Sequence, residues 1–272
     1  MSFRLLFTSF LCVFVLASTS AYGRKKSKRS RFDTGMAYVI EPDGMVARAM
    51  PESKVRPAVA MNVKPASSGH INTSYREGID VSHYQGRINW DQVAGGSRIS
   101  YAYMKATEGA TYVDDTYTYN LKEAKRVGLS VGSYHFYRPN VSPQQQFQNI
   151  KNNIRPEEQD LVPIIDIEHR GSVSETKFIA DLAELIRLVE NYYGKKPLLY
   201  SYQNFYNRHL LGKFKNYHWM IAKYDQSSQP VLKDGKDYIM WQYTSTGSIP
   251  GIKGNVDRSC LMHGFVLGQV GL

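Results

Sequence analysis

In the segment VPIIDIEH, Asp166 and Glu168 stand two residues apart at the end of an apolar run. Side chains alternate along an extended strand, so this spacing turns both carboxyl groups to one face. Two carboxylates confined together cannot ionise independently, because the first charge raises the pKa of the second and burial raises it further. A carboxylic acid treated in this way keeps its proton near neutral pH and can deliver it to a leaving oxygen. At an exposed strand end the same pair would only cap a helix or form a surface ion pair. Two more acids bear on that choice. Asp80 in GIDVSHYQG and Asp257 in GNVDRS each interrupt an apolar run, where a solvated charge is costly to place. Four such acids suit cleavage of a glycosidic bond, with one pair acting on the bond and the others holding hydroxyl and amide groups. A hard-cation site is the rival use of the same carboxylates.

Other side chains divide between chemistry and packing. Lys105 and Glu108 of KATEG either pair with the acid cluster and substrate or form a buried structural ion pair. His83, His135 and His169 lie on separate segments without a short ligand spacing such as H-x-x-x-H, so no metal site and no cofactor are expected. Cys260 has no Cys–His motif around it. Tyr84, Tyr134, Tyr200, Trp219 and Trp241 are candidates for stacking on a sugar ring, with core packing the alternative for each.

The elements that position these residues begin near Tyr75. Eight apolar runs follow, at residues 78–82, 100–106, 130–137, 162–168, 197–202, 218–224, 238–243 and 255–262. Several are nearly continuous in hydrophobicity, as strands buried on both faces are. Helical stretches alternate with the first five. Residues 115–127 lead to Gly128, Ser142 caps a helix with Pro143 in its first turn, and residues 174–193 carry apolar side chains at helical spacing up to Gly194. This alternation predicts parallel strands joined by right-handed crossovers. Eight of them predict a closed, TIM-like (β/α) barrel, with an open doubly wound sheet as the fallback; it has about five helices and is bare around its last three strands because residues 225–237 and 244–254 are Gly-, Ser- and Pro-containing loops. In such a barrel the working residues gather where strands end.

Charge and the N-terminus bound the rest. The formal charge of +10 is unevenly spread: residues 1–75 hold 11 Lys and Arg against 4 Asp and Glu, residues 76–272 hold 23 against 20. The excess therefore sits in the leader and in the basic, Pro-containing stretch 22–75, read as a linker or disordered tail, and not in the domain, so nucleic-acid binding is not expected. Arg4, the apolar residues 5–17 and the small residues 18–21 form the pattern of a secretory signal peptide, too short to span a membrane. Export to a periplasm or the cell exterior follows as an expectation, with a monomeric mature chain that carries no membrane span.

GIDVSHYQG, KATEG, GSYHFY, PIIDIEH, WMIAKY and the WQYTSTG to GNVD ending occur in one order over about residues 76–265. In this the chain resembles the family 25 glycoside hydrolases, the Chalaropsis-type lysozymes. The resemblance implies an N-acetylmuramidase acting on the β-1,4 bond between N-acetylmuramic acid and N-acetylglucosamine of peptidoglycan glycan strands. It implies Glu168 as general acid, Asp166 as its helper, and Asp80 and Asp257 as acids lining the floor. The alternatives are a non-catalytic peptidoglycan-binding barrel and a chitinase-like N-acetylhexosaminidase.

Overall fold

The computed structural model describes residues 76–272 and one short antiparallel hairpin, Val39–Glu41 with Gly44–Val46. The chain divides into two units at Pro57 and Ala58. The signal-peptide reading and most of the linker reading lie outside the described residues.

Eight strands close into a barrel: β1 (Glu77–Val81), β2 (Ile99–Glu108), β3 (Ser130–Phe136), β4 (Ile164–Asp166), β5 (Leu198–Tyr202), β6 (Trp219–Ala222), β7 (Met240–Gly247) and β8 (Val256–Leu261). Neighbours pair in sequence order, and β8 returns to β1 to complete the ring. A further two-residue strand, Tyr112–Val113, folds back antiparallel on the end of β2.

The helices follow from local signals. Asn89 accepts a hydrogen bond from the Gln92 N–H (3.1 Å) at the start of α1 (Trp90–Gly96). α2 (Tyr117–Arg126) is closed by Gly128, whose positive φ of 89° lets its N–H reach the Lys125 carbonyl. Ser142 and Pro143 open α3 (Pro143–Asn153), and Ser174 and Gly194 bound α4 (Glu175–Tyr193). A fifth, irregular helix, α5, starts at Gln203–Phe205 and widens into a π turn at Tyr206–Leu210. Phe178, Leu182, Leu185, Ile186 and Val189 of α4 are fully buried against the outer faces of the strands, with Ile165, Leu199 and Ile221 among their partners.

Inside the barrel, Tyr101, Tyr103, Ile164, Leu198, Met220 and Met240 form a second apolar cluster. The two tyrosines need glycines opposite them. A Cβ on Gly78 would lie 2.1 Å from the Tyr101 ring, and one on Gly132 would lie 2.4 Å from Tyr103. Packing at this density fills the lower barrel, so polar side chains collect at the upper mouth.

One expectation is corrected. β1 to β7 run parallel, but β8 is antiparallel to both β7 and β1. Only residues 248–255 connect β7 to β8, whereas a parallel crossover takes a dozen residues or more. No helix follows β6 apart from a 3-10 turn at Leu267–Val270, which leaves the last strands bare as expected.

Candidate active site

The interior parity of each strand decides which side chains reach the mouth. Asp80 is the fourth residue of β1 and sits in register with Asp257 of β8. Asp166 ends β4, in register with Tyr200 of β5 and Phe136 of β3. Extended pairing continues one residue further, since the Ile167 N–H donates to the Tyr200 carbonyl (2.9 Å). Glu168 therefore follows Asp166 on the interior side. Asp80 and Asp166 are buried, while Glu168 and Asp257 keep part of their surface open.

Burial governs the ionisation of all four acids. It lifts the Asp80 carboxyl to about 8, with the Asp257 charge adding to the rise and a hydrogen bond from Gln242 opposing it. Burial and then Glu168 push Asp166 well above the carboxylate range, and Lys105 works the other way. Glu168 rises to about 7 through burial and Asp257. Asp257 rises to about 7 through burial. Oδ1 of Asp166 is buried without a hydrogen-bond partner among the described residues. Such a group either meets substrate or costs stability.

Gln242, which the sequence reading passed over, ties the cluster together. Its Nε2 donates to Asp80 Oδ2 (3.1 Å), and its Oε1 accepts from the hydroxyls of Tyr200 (2.8 Å) and Tyr224 (3.0 Å). Tyr224 is exposed at the rim and was likewise missed. Both lie on the interior parity of their strands: Gln242 pairs in register with Ala222, two residues before Tyr224. Tyr134 is interior as well, and burial followed by the charges of Asp166 and Asp80 drives its phenol well above its usual pKa.

The KATEG residues form an ion-pair network level with Asp166, since Glu108 is in register with Phe136 and Phe136 with Asp166. Lys105 Nζ donates to Glu108 Oε2 (2.6 Å), and Arg138 Nε donates to Glu108 Oε1 (2.9 Å). Burial alone would raise Glu108, but Lys105 and Arg138 outweigh it and hold the carboxyl below its ordinary value. Arg138 also reaches His169 (3.1 Å). His135 is buried between Thr107 and Gln146, where burial lowers its pKa to about 4. His83 is held by the buried Asp114 (2.8 Å). The three imidazoles are thus separately engaged, and no group of His, Cys, Asp and Glu among the described residues is arranged to hold a metal ion.

Two of the aromatic candidates stand elsewhere. Trp219 is fully buried in the outer cluster, its ring edge-on to Tyr206 at 4.9 Å, so it packs helix against strand and cannot touch a sugar. Trp241 alternates with the interior residues Met240 and Gln242 and pairs with Ile221 of the outer cluster. It therefore faces the outside of the bare strands, with Nε1 donating to the Lys223 carbonyl (2.9 Å). Tyr84 is exposed on the turn after β1, beside His83. Of the five aromatics, Tyr134 and Tyr200 share the interior with the acids and Tyr84 stands at the rim.

Comparison with known proteins bears on the family and the fold. Residues 79–252 match the model of the family described as glycosyl hydrolases family 25. The uncharacterized protein YegX of Escherichia coli O157:H7 is 35% identical over 193 residues, 69% of this chain and 70% of its own. Lysozyme M1 of Streptomyces globisporus is 31% identical over 206 residues, covering 70% and 69% of the two chains. The crystal structure of the bacterial lysozyme from Streptomyces coelicolor superposes with a TM-score of 0.64 at 29% identity, over 73% of this chain and 96% of that one. The matched family stretch stops before β8 and does not include Asp257, which the register sets opposite Asp80.

Proposed function

The chain belongs to the family 25 glycosyl hydrolases, and we propose that it is an N-acetylmuramidase cutting the β-1,4 bond after N-acetylmuramic acid in peptidoglycan, with Glu168 as the general acid. The observation that carries the assignment is the contrast within the cluster. Glu168 is the acid of the β4 pair that retains access to the mouth, and burial with the Asp257 charge keeps it protonated close to neutral pH. From there it protonates the leaving glycosidic oxygen.

Asp166 is the helper. It is buried, one of its oxygens has no hydrogen-bond partner among the described residues, and burial with the Glu168 charge outweighs Lys105, so its neutral form is favoured until positive charge arrives. Charge developing at the sugar draws out the carboxylate form, which orients the substrate's 2-acetamido group for attack on the anomeric carbon. That route gives net retention and is one of the substrate-assisted exceptions to the two-carboxylate scheme. Asp80, Asp257 and Tyr134 hold sugar hydroxyl and amide groups on the floor, and Gln242 fixes Asp80 and the two phenols. We further propose export of a monomeric mature chain, on the leader pattern of residues 1–21. No helix among the described residues is long and apolar enough to cross a membrane.

The test is digestion of peptidoglycan by the purified mature chain, in parallel with Glu168→Gln, followed by identification of the new reducing ends. Reducing muramic acid produced only by the unaltered enzyme is the expected result. Reducing glucosamine would reassign the bond cleaved, equal activity of the variant would remove Glu168 from its role, and an inverted anomer would remove the acetamido route.

A further inference from the structure

Beside the acid cluster lies a cavity of about 370 Å³ lined by His83, Gly86, Arg87, Asp115, Thr116 and Tyr119. It is formed by the turn after β1, the segment between the β2 hairpin and α2, and the first turn of α2; the first two follow the carboxyl ends of parallel strands. It therefore stands on the same rim as Asp80, three residues before His83. The continuity is also electrostatic, since the charge of Asp114, the partner of His83, is felt at Tyr134 in the barrel mouth.

The lining is chemically specific. The Arg87 guanidinium lies over the Tyr119 ring at 4.2 Å, and the Tyr119 hydroxyl is tied to the Ile88 carbonyl (2.9 Å). Stacking on a fixed ring restrains the guanidinium while leaving its edge N–H groups to donate. Arg87 and Asp115 are exposed, and neither has an ion-pair partner among the described residues. His83 is oriented by Asp114 through both its Nδ1 and its backbone N–H (3.0 Å). A single site thus presents one unpaired cation and one unpaired anion on an aromatic base. Neutral sugar hydroxyls do not call for that pairing. A group that carries a carboxylate and an ammonium together does.

We propose that this cavity is a subsite for the peptide stem of the glycan, and that it takes the zwitterionic end of a diaminopimelate side chain, carboxylate on Arg87 and ammonium on Asp115. The assignment rests on the muramidase reading, because the stem hangs from the muramic acid next to the scissile bond. A lysine side chain at the same stem position has the ammonium but lacks the carboxylate, so it satisfies Asp115 and leaves Arg87 unmatched.

The experiment compares three glycan substrates with the full chain: strands bearing an alanyl–glutamyl–diaminopimelate stem, strands with lysine in place of diaminopimelate, and strands stripped of peptide. At an exposed rim a bidentate guanidinium–carboxylate pair changes KM by about fivefold. The diaminopimelate strands are expected to show that advantage in kcat/KM over the lysine strands, carried by KM. Arg87→Ala is expected to erase the difference between the two stems, and Asp115→Asn to bring both towards the stripped strands. Both side chains are exposed, so neither change disturbs the core. Equal kcat/KM on the two stems, or a preference that survives Arg87→Ala, overturns the subsite while cleavage of stripped strands leaves the muramidase reading standing. Failure to cleave any of the three substrates refutes the muramidase reading itself and removes the subsite with it.

Discussion

The position of Glu168 predicts where activity fails as pH rises. A general acid works only while protonated, and the ordinary carboxyl value of 4.5 is lifted here to about 7. At pH 7 an unperturbed Glu would be protonated in about 0.3% of molecules and the shifted one in about half, a gain of roughly two orders of magnitude in available acid. The kcat/KM profile is therefore expected to fall on an alkaline limb near pH 7. Two variants move that limb in opposite directions. Asp257→Asn removes a charge that raises Glu168, so the limb moves to lower pH; Lys105→Gln removes a charge that lowers it, so the limb moves to higher pH. Glu108 keeps Arg138 in the second variant, which limits the cost of breaking the buried pair. Since the acids titrate together, the limb belongs to the cluster, and Glu168→Gln assigns it. That variant is expected to lose roughly 10²- to 10⁴-fold in kcat. The profiles are measured with a soluble glycan at saturating and limiting concentrations. Movement of the limb in the same direction by both variants, or its survival in the residual activity of Glu168→Gln, would refute the reasoning.

Stability carries its own pH signature. A carboxyl group whose folded pKa is raised stabilises the fold below its unfolded value and loses that contribution as pH rises to its folded value. For Asp80 this window runs from 3.8 to about 8, whereas the lowered His135 and His169 gain stability in the opposite sense only up to 6.5. Between pH 6.5 and 8 the acids act alone, so urea stability is expected to fall across that range, and Asp80→Asn to flatten the fall. Gln242→Met leaves the buried Tyr200 hydroxyl without its acceptor and takes a donor from Asp80; a loss of about 1–3 kcal/mol in urea unfolding is expected, with reduced kcat. Gly132→Ala drives a methyl group into Tyr103, and about 1–3 kcal/mol should be lost by overpacking, read in the same titration. Trp219→Phe should lower stability and leave KM unchanged, because the ring packs on Tyr206 and meets no sugar.

Much of this architecture is legible in the chain because its signals are local. Ser142 before Pro143 and Ser174 before Glu175 mark the starts of α3 and α4 through hydrogen bonds made within three residues, and Gly194 closes the nineteen residues of α4 in a left-handed conformation. The acids are legible because a charge inside an apolar run needs a reason. Strand parity is not legible in the same way. When both faces of a strand are buried the period of two vanishes from the hydrophobic pattern, and nothing in WMIA says which face looks inward. An acid on the strand supplies the missing anchor, as Asp80 does for β1 and Asp166 for β4. β6 has no acid, so the sequence leaves Trp219 open between a sugar and the core, and its full burial decides for the core. Gln242 was missed because a neutral amide in a strand raises no alarm, although its spacing of two from Met240 puts it inside.

The direction of β8 is the deeper lesson, because it depends on the length of a loop and not on the residues of the strand. Asp257 is the second residue of β8. In a parallel barrel the start of a strand lies at the bottom, far from Asp80 near the end of β1. Eight parallel strands would therefore have separated the two acids by the height of the barrel. Residues 248–255 are too few for a crossover, so β8 enters antiparallel and its start becomes part of the mouth. The register of Asp257 against Asp80 then follows, and with it the charge that helps to keep Glu168 protonated. Lengthening that connection by a flexible insertion would loosen the register without touching any acid. The alkaline limb should then move to lower pH, as it does in Asp257→Asn, while the far side of the barrel keeps its stability.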